Sequence, residues 1–248
     1  MTSTLACILH HMTGLALVLV IISAFAHASW NFLLKRSTNQ EAFIWWLLVS
    51  TSILLFPLGV VLLVIYPVEG PGWWYILGTA IIHVLYFLFL SRGYTRGDLS
   101  VVYPIARGSG SALVPVLGVF VLDETVSLEA FMGIAAIILG IFTIHWWGKF
   151  SDILGNPSRI LRDSGIRYAL LTGLLVATYS VWDKGGVGHV NPFLYMYGMT
   201  VGTAVFLTPY MVRTHGAAVL KQEWVRAKGV IVASGLLTFL AYGLVLTA

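Results

Sequence analysis

Eight apolar runs, each about the length of one bilayer crossing and parted by turn-rich or charged breaks, constrain this chain more than any single motif. They cover residues 14–34, 42–66, 73–92, 99–122, 127–147, 166–183, 191–212 and 229–248. A spanning helix needs about 20 mostly apolar residues, whereas a barrel strand needs about ten with strict alternation. Runs of this length predict helices. With 58% hydrophobic and only 10% charged residues, the chain has too few charges to solvate a soluble surface. The composition predicts an all-α integral membrane protein whose surroundings are the lipid bilayer, and the short connections leave no room for a separate soluble domain.

The formal charge of +4 raises the question of nucleic acid, but the basic residues sit at helix ends and form no patch interleaved with aromatics. No nucleic-acid partner is expected. If the eight runs cross alternately, twelve of the 14 Lys and Arg fall on one side, in the loops 35–41, 92–98, 148–167 and 213–228. Lys184 is on the other side and Arg107 lies within a run. The positive-inside rule makes the rich side cytoplasmic and places the N-terminus outside. Cys7 is the single cysteine, so no internal disulfide forms. Ala26-His27-Ala28 imitates a signal-peptidase site, yet no Lys or Arg precedes the apolar run, and a cleaved signal is not expected.

The chain also repeats itself. Ala28 to Lys35 (Ala-Ser-Trp-Asn-Phe-Leu-Leu-Lys) returns 149 positions later as Ala177 to Lys184 (Ala-Thr-Tyr-Ser-Val-Trp-Asp-Lys). Thr51 to Pro57 pairs with Thr203 to Pro209, and Tyr86 to Ser91 with Tyr242 to Thr247. The first three runs thus match the sixth, seventh and eighth. Five runs per copy is an odd number, so the second copy enters the membrane from the opposite face, as an inverted repeat does. The predicted organisation is a first repeat at 14–147, a cytoplasmic loop at 148–165 and an incomplete second repeat of three helices at 166–248. Counterparts of Gly93 to Trp147, about 55 residues, are absent from it.

On these residues the chain resembles the EamA-type members of the drug/metabolite transporter superfamily. The resemblance rests on Ala28-Ser29-Trp30-Asn31 with its second copy, and on the Gly97-Asp98-Leu99-Ser100 turn followed by Tyr103-Pro104-Ile105-Ala106-Arg107-Gly108. Leu122-Asp123-Glu124 and a fifth helix with Gly133 and Gly140 complete it. It implies a ten-helix bundle of two inverted five-helix repeats, of which eight helices are present. The implied activity is secondary-active transport, at the inner (plasma) membrane, of a small organic metabolite such as an amino acid or carboxylate, by alternating access. A homodimer is compatible with it, and no cofactor is implied. The alternative is a truncated, non-transporting membrane fragment or a structural or regulatory membrane subunit.

The candidate site residues come from two places. Arg107 lies inside a run with no other charge between Asp98 and Asp123. An ionisable group at that depth costs at least about 2.5 kcal/mol on insertion scales, so it faces protein or a water-filled cavity. Tyr103 and Ser111 lie four residues to either side and share its helix face. Pro104, Gly108, Gly110 and Pro115 predict a bent or irregular helix there. Arg107 is read either as a substrate contact or as an arginine reaching the interface or closing an interhelical carbonyl pair.

The second place is a pair of stripes, His27, Trp30, Asn31 and Leu34 in the first run and Val176, Tyr179, Ser180 and Asp183 in the sixth. Facing each other across a cavity, Trp30 and Tyr179 would hold a substrate by their ring faces. Alternatively the rings fill the core while Asn31 and Ser180 bond between helices, at about 0.6 kcal/mol each. His27 or Asp183 is the expected proton-coupling group, ahead of His83. Lys35 and Lys184 are expected to snorkel to headgroups, Glu124 to suit the dipole of the fifth helix, and Gly133 and Gly140 to allow close packing. Neither a metal set nor a catalytic motif is found. Gly108-Ser109-Gly110-Ser111 lacks a suggestively placed histidine and acid, so no catalytic residue is expected.

Overall fold

The computed structural model describes residues 14–122, 127–146 and 162–247, all helix and short turns with no strand among them. The helices are α1 (Gly14–Lys35), α2 (Gln40–Leu54), α3 (Phe56–Ile65), α4 (Gly72–Arg96), α5 (Leu99–Leu122), α6 (Leu128–Trp146), α7 (Ser164–Gly186) and α8 (Pro192–Thr247). Asp123 and Glu124, Cys7 and most of the 148–165 loop lie outside the described residues.

Local chemistry sets the boundaries. Asn39 caps α2 by accepting from the Ala42 N–H, and Asp163 caps α7 by accepting from Gly165 and Ile166. Asn191 accepts from Phe193 and Leu194 ahead of α8, whose first residue, Pro192, has no N–H to leave unpaired. The apolar run 42–66 is two helices and not one, bent by 57° at Leu55. Pro57 explains the break, since it lacks an N–H and its ring crowds the carbonyl four residues earlier. The Pro-rich α5 behaves in the opposite way. It runs helical through Pro104 and Pro115, so the expected irregularity is not found.

The two expected runs 191–212 and 229–248 are joined by helix, and the basic stretch 213–228 is not an open loop. The one non-helical residue between them is Gly216, with φ 71° and ψ 162°, a conformation open to glycine and strained for other residues. A straight helix of this length would measure about 80 Å against a hydrocarbon core of about 30 Å. The Gly216 break lets it act as two arms, 192–215 and 217–247. By length and apolarity, Gly72–Arg96 and Pro192–Leu244 suffice to cross a membrane, and the bent α2–α3 pair adds a third when taken as one span.

The basic helix ends come together. Lys35 Nζ does not snorkel to headgroups but donates to the carbonyls of Tyr94 (2.5 Å) and Gly97 (2.7 Å), closing the C-terminus of α4. At the same end, Arg92 meets Glu41 and Tyr210, and Arg96 lies over the Tyr168 ring. Trp30, Leu34, Phe43, Leu47, Tyr94 and Met211 fill the core at this level. Phe25, Val64, Phe120 and Leu139 point outward, as side chains that meet lipid do.

The tightest seam joins α5 to α7. A Cβ on Gly173 would stand 2.0 Å from Ser109 Oγ and 2.9 Å from the Ala106 carbonyl oxygen. Gly133 and Gly140 are different, because among the described residues a Cβ there meets nothing within 4 Å and no close packing rests on them. Gly173→Val is expected to force α5 from α7 and destabilise the detergent-solubilised protein by about 1–3 kcal/mol. Gly133→Ala should not lower stability, and thermal unfolding of both variants checks the contrast.

Candidate functional site

A cavity of about 350 Å³ opens between α1, α5, α7 and the second arm of α8. Helix α1 contributes Ser23, Ala24 and His27, and α5 contributes Tyr103, Arg107, Ser111 and Val114. Val176, Tyr179 and Ser180 come from α7, and Tyr242 from α8. The four-residue spacing of Tyr103, Arg107 and Ser111 does place all three on one wall. A smaller hollow of about 20 Å³, room for about one water, adjoins it and shares His27, Tyr179 and Tyr242.

Arg107 is the charged feature of the cavity. Its Nη1 donates to Tyr179 Oη over 3.4 Å, a long bond, while Nη2 is buried and makes no hydrogen bond. Its electrostatic neighbours are the phenols of Tyr86, Tyr179, Tyr103 and Tyr94. Among the described residues the ion pairs join Glu41 to Arg92 and to His215, and none reaches Arg107. A guanidinium offers five donors and no acceptor; here Nη2 is left without a partner, and among the described residues no carboxylate pairs with it. The other orphan donor near the cavity is Trp30 Nε1, buried and without a partner.

The remaining stripe residues divide. Trp30 does not line the larger cavity; it lines the smaller hollow together with Tyr179 and stands edge-on to His27 (5.7 Å) and Phe87 (6.4 Å). Asn31 is turned away from the cavity, donating to the His27 carbonyl (2.8 Å) and accepting from Tyr94 Oη (2.6 Å). This is a bond between helices, the packing role open to it in the sequence. Ser180 lines the cavity, but its hydroxyl is bonded to the Val176 carbonyl in its own helix. Asp183 is 1% exposed and does not line the cavity. Its carboxylate accepts from Tyr195 Oη (2.6 Å) and from Tyr242 Oη, so it sits behind the ring of Tyr242.

Tyr179 rests on a frame that residue-by-residue reading did not single out. Its ring stacks on His83 at 4.5 Å, and Tyr86 and Tyr242 stand edge-on to it at 5.5 and 5.8 Å. The same two tyrosines stand edge-on to His83, at 5.7 and 6.0 Å. A signal for them existed, because Tyr86 and Tyr242 are equivalent residues of the third internal match.

The EamA-like transporter family matches residues 14–146, more than half of the chain, and the chain belongs to that family of integral membrane transporters. Multidrug resistance protein EbrB of Bacillus subtilis (strain 168) is 32% identical over 72 residues, which are 29% of this chain and 62% of that protein. The match therefore spans less than two thirds of that relative's length. No solved structure matches the chain.

Tyr242→Phe would leave one carboxylate oxygen of the buried Asp183 without its phenol. An unsatisfied buried acceptor costs about 1–3 kcal/mol, more when charged. The variant is expected to unfold at a lower temperature than the parent, and an unchanged midpoint would show that Asp183 is satisfied without Tyr242.

Proposed function

We propose that the chain works as a secondary-active transporter that moves a small organic anion, such as an amino acid or another carboxylate, through the cavity between α1, α5, α7 and α8. The observation that carries this reading is the Arg107 guanidinium, buried with one nitrogen unpaired and no carboxylate partner. A buried charge without a partner is costly. An anionic ligand would supply two acceptor oxygens in the planar geometry a guanidinium fork matches. Tyr103, Tyr179 and Tyr242 would frame the rest of the cargo. His27 is better placed than Asp183 to couple a proton, since it lines the cavity while Asp183 is shielded by Tyr242.

A second reading takes its lead from the relative's name, multidrug resistance protein, and from the aromatic cavity walls. On that reading the cargo is an apolar drug-like compound. The unneutralised Arg107 weighs against a cationic one, which it would repel.

The mechanism we infer is alternating access between two inverted copies, with eight crossings in all and the basic ends in the cytoplasm. Reciprocal packing supports it: α4 packs on α7 and α8 packs on α1, pairs that an exchange of the copies would interconvert. Reporter fusions at the N-terminus and near Arg159 check the orientation. They are expected to place the first outside and the second inside, and a cytoplasmic N-terminus refutes that arrangement.

Arg107→Ala is expected to lower uptake or efflux of carboxylate substrates at least tenfold at normal membrane abundance, the loss of about 1.4 kcal/mol or more in binding. Unchanged transport would remove the anion role.

A further inference from the structure

A side-chain cluster that the cavity does not use ties the first turn of α2 to the last residues before the Gly216 break. Its hydrogen bonds fix the state of one histidine. Asn39 Oδ1 is committed to the Ala42 N–H at 2.9 Å, the N-cap of α2. The other end of the amide, Nδ2, therefore faces His215 Nδ1, 3.3 Å away. An amide nitrogen only donates, so Nδ1 must be bare and accept. The ring hydrogen is then on Nε2, which donates to Glu41 Oε2 at 2.8 Å. Glu41 holds the hydrogen on Nε2 and Asn39 keeps Nδ1 bare, so it is Asn39 that selects the neutral ring over the cation.

The surroundings hold Glu41 in place as the acceptor. Tyr210 Oη donates to Glu41 Oε2 (3.0 Å), Arg92 Nε donates to Oε1 (3.3 Å), and Arg92 Nη2 donates to Tyr210 Oη (2.9 Å). A polar hollow of about 270 Å³ lies alongside, lined among others by Thr38, Gln40, Thr95 and Arg96. The side chains of Arg92, His215 and Glu41 are 33, 19 and 14% exposed, so a proton from solvent can reach the ring.

We propose that His215 is a proton-operated switch between residues 39–41 and 210–215, locked when its ring is neutral and released when Nδ1 takes a second proton. The added N–H points at the Asn39 NH₂ group, donor against donor. Relief requires the ring to leave Asn39 or the amide to rotate, and rotation turns Nδ2 onto the Ala42 N–H and uncaps α2. The charged groups that face the ring are Glu41 on α2 and Arg92 and Arg96 on α4. Tyr210 on α8 takes part as a neutral phenol. The released contact adjoins Gly216, the non-helical residue where the two arms of α8 meet. The switch is separate from the anion reading of the cavity and does not depend on it.

The test uses the full chain in detergent with ¹⁵N-labelled histidine, His215 being assigned by the signal lost in His215→Gln. Above its titration, His215 is expected as the Nε2–H tautomer. Asn39→Asp keeps the cap on Ala42 and replaces the opposing donor by a carboxylate oxygen. It should hold the doubly protonated ring to a pH about one unit higher or more. Hydrogen exchange of the first turn of α2 should quicken several-fold on acidification in the parent. It should not do so in Asn39→Asp, nor in His215→Gln, whose amide reproduces the neutral ring's donor and acceptor. An Nδ1–H tautomer, an unmoved titration in Asn39→Asp, or the same acid-dependent exchange in His215→Gln would each overturn the switch.

Discussion

A guanidinium inside an apolar bundle must be solvated by something, and in this protein it is solvated by phenols. Among the described residues Arg107 has four tyrosines as its electrostatic neighbours and no carboxylate paired with it. Phenols offer acceptor oxygens and ring faces while adding no charge of their own, so they make the cation tolerable without neutralising it. The aromatic content of the site follows from that choice: Tyr179 bonds to the guanidinium, His83 stacks on Tyr179, and Tyr86 and Tyr242 brace both rings. A carboxylate at the same place would have completed the charge pair and left nothing for a ligand to do. The one carboxylate nearby, Asp183, is instead held away by two hydroxyls.

Two chemistries therefore divide the molecule. Around the cavity, donors outnumber their partners, with Arg107 Nη2 and Trp30 Nε1 both unpaired. At the basic end two groups are fully engaged: Glu41 accepts from three side chains, and Lys35 is consumed by two backbone carbonyls. Unmet capacity marks a place prepared for something else, and closed networks mark structure. The two are joined by α4, which carries His83 at its middle and Arg92 in its last turns, on opposite sides of the helix.

What the sequence made legible was periodic or compositional. The helices were readable from run length, with α5 and α7 beginning and ending within three residues of expectation. The shared wall of Tyr103, Arg107 and Ser111 followed from helical spacing alone. The misreadings share one cause, a partner distant in sequence. Lys35 finds the end of α4 some 60 residues on, and Asp183 finds Tyr242 at a similar distance. Nothing local to Asn31 announces Tyr94. The bend at Leu55 is a different case, since Pro57 was in plain view, but the apolar run continues across it and hydropathy carries no record of direction. Pro104 shows the converse, a proline that helix packing on both sides absorbs.

The seam at Gly173 has a mechanical consequence. With the Gly173 Cα set against Ser109 and the Ala106 carbonyl, α5 and α7 are geared together and have no room to slide. Arg107 and Tyr179 ride on opposite sides of that seam, so they form one rigid jaw in any rearrangement of the bundle. Across the cavity from that pair stand His27 and Tyr242, carried by α1 and the far arm of α8, so the clearance between the two walls sets what the cavity can hold.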